Sequence, residues 1–530
     1  MNLNLSLERA AKLYADHIAI VDGKKVITYK DLYELVQALA AGLRDKGITR
    51  GDVVACLAPN CHEYLVLYYA CSMLGAILNP LNFRLSAKEI LDITRHSNTS
   101  ILVAHPDFAS TVTELVDLGF KPQFTIWLGR PTAPTMALLP SSKYEQFLVQ
   151  HLGQAVESPF MAPHDLAQLY YTSGTTGEAK GVMLTHGNVT HNAMGAVAEL
   201  KLTDADTWLH VAPMFHLVDA WAVFAITMVG GRHVFLPYFK DKQVLETLAK
   251  ENITITALVP TMLASLLKAP ELRNYHYPNL RTIMTAGSPV APELVRQTMD
   301  QFGCDYVQFY GMTETSPFLT VSIPLESQKN WPQEKLLALK SSTGRPFMGA
   351  IVKVVREDLS EVTPNGKEVG EVIASGPNIT RGYWKNPETT ASTIRNGWIF
   401  TGDLAVIDQH GFINVVDRKK DMIITGGENV YSTEVEYVIY EHPGVLECAV
   451  IGVPDSYWGE IVKAVIVTKP GHSINQEEIT ELVRSKLAGY KMPRLIEFVK
   501  ELPKTGSGKI AKRMLKATQV KAAKSRKLNI

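Results

Sequence analysis

The sequence predicts an α/β chain: a large N-terminal domain of parallel-rich α/β subdomains with a β-barrel-like part, then a small C-terminal α+β domain. Three observations carry that expectation. Short apolar runs alternate with helical patterns as far as about Ser341, the order in which helices cover parallel strands. After Ser341 the pattern turns to short β-rich segments, and from near Asp421 a set of strands and a capped helix stands apart. The expected division is 1–419, with its β-rich part at about 341–419, and 420–530.

Taken in order, Tyr64 to Leu78 is the longest uncharged apolar run, and it stops at Asn79-Pro80. It is shorter than the roughly 18 residues that suggest a bilayer span, so it reads as a buried helix. Ser100–Ala104, Ile253–Val259, Leu280–Thr285 and Tyr306–Tyr310 read as buried strands, with helices such as Lys88–Arg95 and Pro292–Phe302 between them. Ligands of such a sheet belong at the carboxyl ends of its strands. Ile351–Val355, Gly370–Ser375, Trp398–Phe400, Ala405–Ile407 and Phe412–Val416 are the β-rich segments. In the last unit, strands Glu447–Gly452 and Ile461–Val467 precede a helix that starts at Asn475, with Glu478 three positions on, and ends before Gly489. That pairing is an Asn version of a capping box.

Composition excludes more than it assigns. The 530 residues allow several compact units, and 46% apolar residues can furnish their cores. With 53 basic against 53 acidic residues, bulk charge points to no nucleic acid, and any anion site must be local. Cys56, Cys61, Cys71, Cys304 and Cys448 lack CxxC spacing, so reduced thiols in a cytoplasmic compartment are expected, without zinc or a disulfide framework. MNLNLSLERAAK lacks the apolar core of a secretory signal, and the terminal Leu-Asn-Ile is no peroxisomal address. The stretch Ala511–Ile530 holds seven Lys or Arg and no acid. It is suited to solvation or to weak peripheral contact with an anionic membrane surface.

Thr172 to Gly181, TSGTTGEAKG, is the most informative stretch. A strand-like lead, Leu169 to Tyr171, empties into hydroxyls, glycines and Lys180 before turning apolar at Val182. Glycines let a backbone approach a polyanion, amides and hydroxyls donate to it, and the lysine adds charge. Thr172, Ser173, Gly174, Thr175, Thr176, Gly177 and Lys180 are therefore candidate phosphate ligands. The spacing is not that of a Walker A loop.

Four further motifs follow in order: Tyr310-Gly311-Met312-Thr313-Glu314, Thr401-Gly402-Asp403, Asp417-Arg418-Lys419-Lys420-Asp421, and Pro503-Lys504-Thr505-Gly506-Ser507-Gly508-Lys509. With the glycine-rich stretch they resemble the adenylate-forming superfamily, in particular its stand-alone acyl-CoA synthetases. The likeness runs from Thr28-Tyr29-Lys30-Asp31-Leu32 to Lys509. It implies an ATP-dependent, AMP-forming acid–thiol ligase with coenzyme A as co-substrate and a mobile C-terminal domain; a homodimer is compatible with it.

Joining a carboxylate to the α-phosphorus of ATP brings two anions together, at a cost of about 4 kcal/mol at ~4 Å and an effective dielectric near 20, so cations must converge there. The resemblance assigns Lys509 to that centre during adenylation only; read alone it is one basic residue among 53. Glu314, a hard carboxylate beside a triphosphate, suits a Mg²⁺ ligand. The resemblance puts Thr313 at the α-phosphate, and Tyr310 offers a flat face for adenine. Asp403, expected in a turn after Trp398–Phe400, suits ribose hydroxyls, with Arg418 on the other side; a structural ion pair is the alternative. Gly287-Ser288-Pro289 joins the nucleotide side. Lys420 takes the hinge position, and Gly426-Gly427-Glu428 the face past which a pantetheine arm would run.

For the acid, Ala212 to Leu217, the apolar stretch Trp221 to Val229, Gly287, Gly311 and Met312 are the expected lining. His216 resembles the family's pocket-gating histidine, and a core histidine is the alternative. The apolar lining with no charged selector favours a medium- or long-chain fatty acid and hence fatty acid metabolism; an aromatic acid is the nearest competitor. No G-x-S-x-G elbow supports a serine hydrolase, and a non-catalytic acyl-nucleotide-binding protein is the remaining class.

Overall fold

The computed structural model describes residues 2–131, 135, 137–173, 179–504 and 510–517. The chain divides into two compact units, 1–352 with 374–399, and 353–373 with 400–530.

Two sheets dominate the first unit. Among the described residues one has nine strands, in the order Arg345–Pro346, Phe318–Val321, Asp305–Gly311, Thr282–Ala286, Ile255–Leu258, Thr207–His210, Arg232–Phe235, Ile18–Asp22 and Lys25–Thr28. From Asp305–Gly311 to Ile18–Asp22 all neighbours run parallel, and the outer pairs are antiparallel. The other has seven, with Val53–Leu57 between Thr99–Ala104 and Ile77–Pro80, and with Leu166–Ser173 and Ala179–Thr185 at one edge. The parallel-rich α/β expectation holds. Pro292–Phe302 forms its helix with those bounds, proline in the first turn and Gly303 left-handed (φ 63°) at the end, the asymmetry that favours both ends.

The run Tyr64–Leu78 needs correction. Its helix, His62–Leu74, stops at Gly75, which takes φ 67°, and the remaining residues become the buried strand Ile77–Pro80. A β-carbon at Gly75 would lie 2.2 Å from Met161 Cε, so the reversal depends on glycine. Among the described residues no helix is long and apolar enough to cross a membrane. All five cysteines are free and buried.

In the second unit, five strands form one sheet: Glu428–Val430, Ile423–Thr425, Gly459–Thr468, Val445–Asp455 and Leu495–Phe498. Val450, Val462, Ala464 and Ile466 pack there on helices Ser432–Tyr440 and Gln476–Lys486 through Val435, Ile439, Ile479 and Val483. Asn475 Oδ1 accepts from Glu478 N at 2.9 Å, the expected cap.

Candidate nucleotide and acid site

The phosphate motif lies on an antiparallel hairpin. Leu166–Ser173 pairs with Ala179–Thr185, Thr172 facing Lys180 and Ser173 facing Ala179. Gly174, Thr175, Thr176 and Gly177 lie outside the described residues, as does Lys509. Thr172 and Lys180 are half-buried.

Glu314 sits where strand Asp305–Gly311 gives way to a single 3-10 turn, Thr313–Thr315, before the chain returns as Phe318–Val321. The return is tight: a β-carbon on Gly311 would lie 1.8 Å from the Pro317 carbonyl oxygen. Thr315 Oγ1 accepts from Met312 N at 3.0 Å and closes the turn. This is why small and hydroxyl residues flank the acid. Thr313, Met312 and Gly311 are half-buried at the turn, and the half-buried Tyr310 packs on the cluster of Leu319, Ala374 and Ile399.

The carboxylate of Glu314 is 7% exposed, and its Oε1 accepts from the Tyr383 hydroxyl at 2.8 Å. Its own carbonyl accepts from Thr380 N at 2.7 Å. The Lys180 ammonium stands 5.5 Å from the centroid of the Tyr383 ring, within cation–π reach. Tyr383 therefore joins the hairpin bearing Lys180 to the turn bearing Glu314. Burial, then the Glu314 charge, push its phenol far above the usual range, so it stays a hydrogen-bond donor. The segment carrying it is knitted in: Thr380 Oγ1 donates to Met183 O at 2.6 Å, Trp384 N to Gly181 O at 2.7 Å, and Asn378 Nδ2 to Phe318 O at 2.9 Å. A buried carboxylate with one oxygen fixed by a neutral donor fits a hard divalent cation.

Asn378, Thr380 and Tyr383 were not anticipated from the sequence. The one signal for them is the polar and aromatic run Asn378 to Trp384 directly after the strand Gly370–Ser375.

Gly287, Ser288 and Pro289 are exposed at the carboxyl end of Thr282–Ala286, with Gly287 at φ 91°. Gln308 Nε2 donates to Ser288 O at 3.0 Å, and Ala286 pairs with Phe309 in the parallel ladder. Gly287 thus leaves the sheet beside Tyr310, at the carboxyl end where open α/β sheets bind ligands.

On the acid side, His216 is half-buried just before the helix Leu217–Val229, its ring centroid 4.5 Å from that of Phe215. The loop leading to it hangs on Asn60, which donates to Ala212 O at 2.9 Å and accepts from Met214 N at 2.8 Å. Inside the helix, Asp219 is fully buried and accepts from His210 Nδ1 at 2.5 Å and Trp208 Nε1 at 3.1 Å. His210 Nε2 is in turn 2.9 Å from His233 Nδ1. Burial, reinforced by His210, pushes the His233 imidazole well below its usual range.

Trp221 is a packed core side chain, 2% exposed. Its ring centroid lies 4.9 Å from that of Trp208 and 5.2 Å from that of Phe318, and Phe318 packs onward, tilted, against Phe309 at 4.2 Å and Phe347 at 5.5 Å. Phe318 pairs with Gly311 across the ladder. The interior behind Gly311 is thus filled by the protein's own aromatic rings.

The second unit carries the remaining motifs. Asp403 lies within one continuous strand, Trp398–Ile407, and not in a turn; it pairs with Arg418 on Ile413–Arg418, and a bulge after Leu404 takes up the irregularity. Its carboxylate is 3.2 Å from Arg418 Nε, whose side chain is 53% exposed while Asp403 is nearly buried. The ion pair leaves the guanidinium open to solvent. Lys420 is exposed, and its carbonyl accepts from Lys516 Nζ at 3.2 Å. Gly426 and Gly427, at φ 59° and 86°, form the two-residue link of the hairpin Ile423–Thr425 to Glu428–Val430, the conformation that asks for glycine at both positions. A β-carbon on Gly426 would also meet Trp458 Cε3 at 2.8 Å. Glu428 is exposed beside them.

Comparison with known proteins gives the family. Residues 7–384 match the AMP-binding enzyme family and 434–509 the AMP-binding enzyme C-terminal domain. A feruloyl-CoA synthase of Amycolatopsis is 38% identical over 95% of this chain and 96% of its own length. A long-chain-fatty-acid–CoA ligase of Bacillus subtilis is 33% identical over 96% and 93%. The crystal structure of o-succinylbenzoate CoA synthetase from Bacillus subtilis with its acyl-adenylate intermediate superposes with a TM-score of 0.83 at 29% identity, covering 96% of this chain and 97% of that one. The chain belongs to the AMP-binding enzyme family, among its AMP-forming acid–thiol ligases, which use ATP and coenzyme A and for which Mg²⁺ is the usual metal.

Proposed function

We propose that this ligase activates a compact aromatic or aryl-aliphatic acid, of the phenylpropenoic kind, and passes it to coenzyme A. The observation that carries the choice of acid is the aromatic packing behind Gly311, from Trp208 through Trp221 and Phe318 to Phe347. Unbranched chains need depth, whereas a planar ring needs a short slot. The feruloyl-CoA synthase at 38% identity supports the same reading. A medium- or long-chain fatty acid is the second reading, favoured by the apolar stretch Trp221–Val229 of the helix Leu217–Val229 and by the Bacillus subtilis ligase.

In the first half-reaction a carboxylate oxygen attacks the α-phosphorus, and the bond to pyrophosphate breaks. Lys180, with Thr172, Ser173, Thr175 and Thr176, holds the departing phosphates by charge and hydrogen bonds. Bound Mg²⁺ supplies charge neutralisation between the phosphates, and Glu314 is the group that would hold it. Thr313 sits beside the α-phosphate, Tyr310 and Gly287-Ser288-Pro289 beside the base, and Asp403 and Arg418 at the ribose. Lys509 stabilises charge at the reacting phosphorus. In the second half-reaction the thiol attacks the acyl carbon and AMP leaves. We assign Lys420 to the pivot between the two states, His216 to the mouth of the acid channel, and Gly426-Gly427-Glu428 to the pantetheine path. The five buried, unpaired cysteines support a cytoplasmic setting.

Acid-dependent pyrophosphate exchange over a panel of hydroxycinnamic, benzoic and C8–C18 acids, repeated with coenzyme A and identification of the thioester, tests the proposal. An aryl acid should exceed the best fatty acid at least tenfold in kcat/KM. A reversed ratio would return the fatty-acid reading.

A further inference from the structure

We propose that Tyr383 is a positioning residue for the metal and the triphosphate, holding Glu314 through its hydroxyl and Lys180 through its ring. The proposal rests on the reading of Glu314 as the metal-holding group. Three separate contacts converge on this one residue, two of them through its side chain. The hydroxyl donates to Glu314 Oε1 at 2.8 Å, the ring lies 5.5 Å from the Lys180 ammonium, and the backbone forms an antiparallel bridge with Val182, two residues beyond that lysine. Both residues are buried, Tyr383 6% and Glu314 7% exposed.

The two ends of Tyr383 act on different ligand atoms. A carboxylate with one oxygen tied down turns its remaining lone pairs toward a cation in a fixed direction. An ammonium held over a ring face keeps its protons for phosphate oxygens. Removing the hydroxyl alone should therefore weaken metal binding and leave metal-free nucleotide binding intact; removing the ring should weaken both. A merely structural tyrosine predicts no such separation.

The test uses the full-length protein as wild type, Tyr383→Phe, Tyr383→Leu and Glu314→Gln. Mn²⁺ uptake in the presence of α,β-methylene-ATP is read from the free-ion electron paramagnetic resonance signal, and binding of the analogue without metal by calorimetry. Tyr383→Phe should weaken Mn²⁺ uptake about 10- to 100-fold, as for a lost outer-shell partner of a metal ligand, while metal-free affinity changes by less than about threefold, the ring contact with Lys180 being kept. Tyr383→Leu should lower both. Unchanged Mn²⁺ uptake in Tyr383→Phe beside a loss in Glu314→Gln would overturn the role of Tyr383 alone. Wild-type Mn²⁺ uptake in Glu314→Gln would overturn the metal reading of Glu314 itself. Equal loss of metal and metal-free nucleotide binding in Tyr383→Phe would mean general disruption and would also overturn the proposal.

Discussion

The corner around Glu314 and the strand around Asp403 hold their acids in opposite ways. Glu314 is fixed by Tyr383, 69 residues away, and by a segment that also bonds to the hairpin bearing Lys180. Asp403 is fixed by Arg418, its direct partner across one antiparallel pair. The first geometry depends on tertiary packing of distant segments. The second pairs neighbours on one local ribbon. The Glu314 carboxylate therefore answers to substitutions far away in sequence, and the Asp403 pair to those within its own ribbon.

The strongest way to break that contrast is to remove a charge from one half-reaction only. Lys509→Ala should slow acyl-adenylate formation about 10²- to 10³-fold, the range for one preorganised electrostatic donor. Supplied acyl adenylate should still react with coenzyme A at nearly the wild-type rate in a stopped-flow thiol assay. Equal loss in both steps would mean that one fixed arrangement serves both.

Acid should separate the two units next. Burial pushes the His186 imidazole down from 6.5 to about 4, so between those values the unfolded chain takes a proton that the folded one refuses. Stability of the first unit should fall as pH drops below about 6.5 and level off below about 4, a change of roughly 3 kcal/mol. His233, pushed the same way, adds to it. In the second unit the buried Asp417 and the half-buried Glu436 are pushed up by burial, partly offset by Lys512, so at these two sites the folded state binds the extra proton and acid stabilises. Hydrogen exchange against pH should show the first unit opening earlier, and His186→Gln should flatten its slope. Simultaneous opening with an unchanged slope would remove the distinction.

A smaller effect is expected in the acid channel. Trp221→Leu removes ring volume behind Gly311 and should raise the kcat/KM ratio of long acids to aryl acids by roughly 10- to 200-fold, the range for gained or lost apolar contacts. The KM for ATP should stay constant. A uniform fall for every acid would make Trp221 core packing alone.

The smallest concerns the second-unit turn. Gly426→Ala places a β-carbon at φ 59° and 2.8 Å from Trp458, at a cost of about 1–2 kcal/mol for the left-handed backbone. Thioester formation should slow while pyrophosphate exchange is spared. Slowing of exchange instead would take these glycines off the pantetheine path.

What the sequence revealed follows the same divide. The helix Pro292–Phe302 was legible to the residue because proline and glycine mark its ends locally, and Glu314, Asp403 and Arg418 were singled out as candidates because their neighbours form recognisable motifs. Tyr383 was not, since nothing near it in sequence announces a partner 69 positions away. The extension of the helix His62–Leu74 past Gly75 came from reading hydropathy through a left-handed glycine. Trp221 shows the other limit: an apolar helix looks the same whether it lines a pocket or fills a core, and only the rings of Trp208 and Phe318 decide.

The most direct test of adenylation itself follows an oxygen. If a carboxylate oxygen attacks the α-phosphorus, that oxygen stays on phosphorus when the thiol expels AMP. With an acid carrying ¹⁸O in both carboxylate positions, mass spectrometry after one turnover with coenzyme A should find one ¹⁸O in each AMP and none in pyrophosphate. Unlabelled AMP, or label in inorganic phosphate or pyrophosphate, would contradict it.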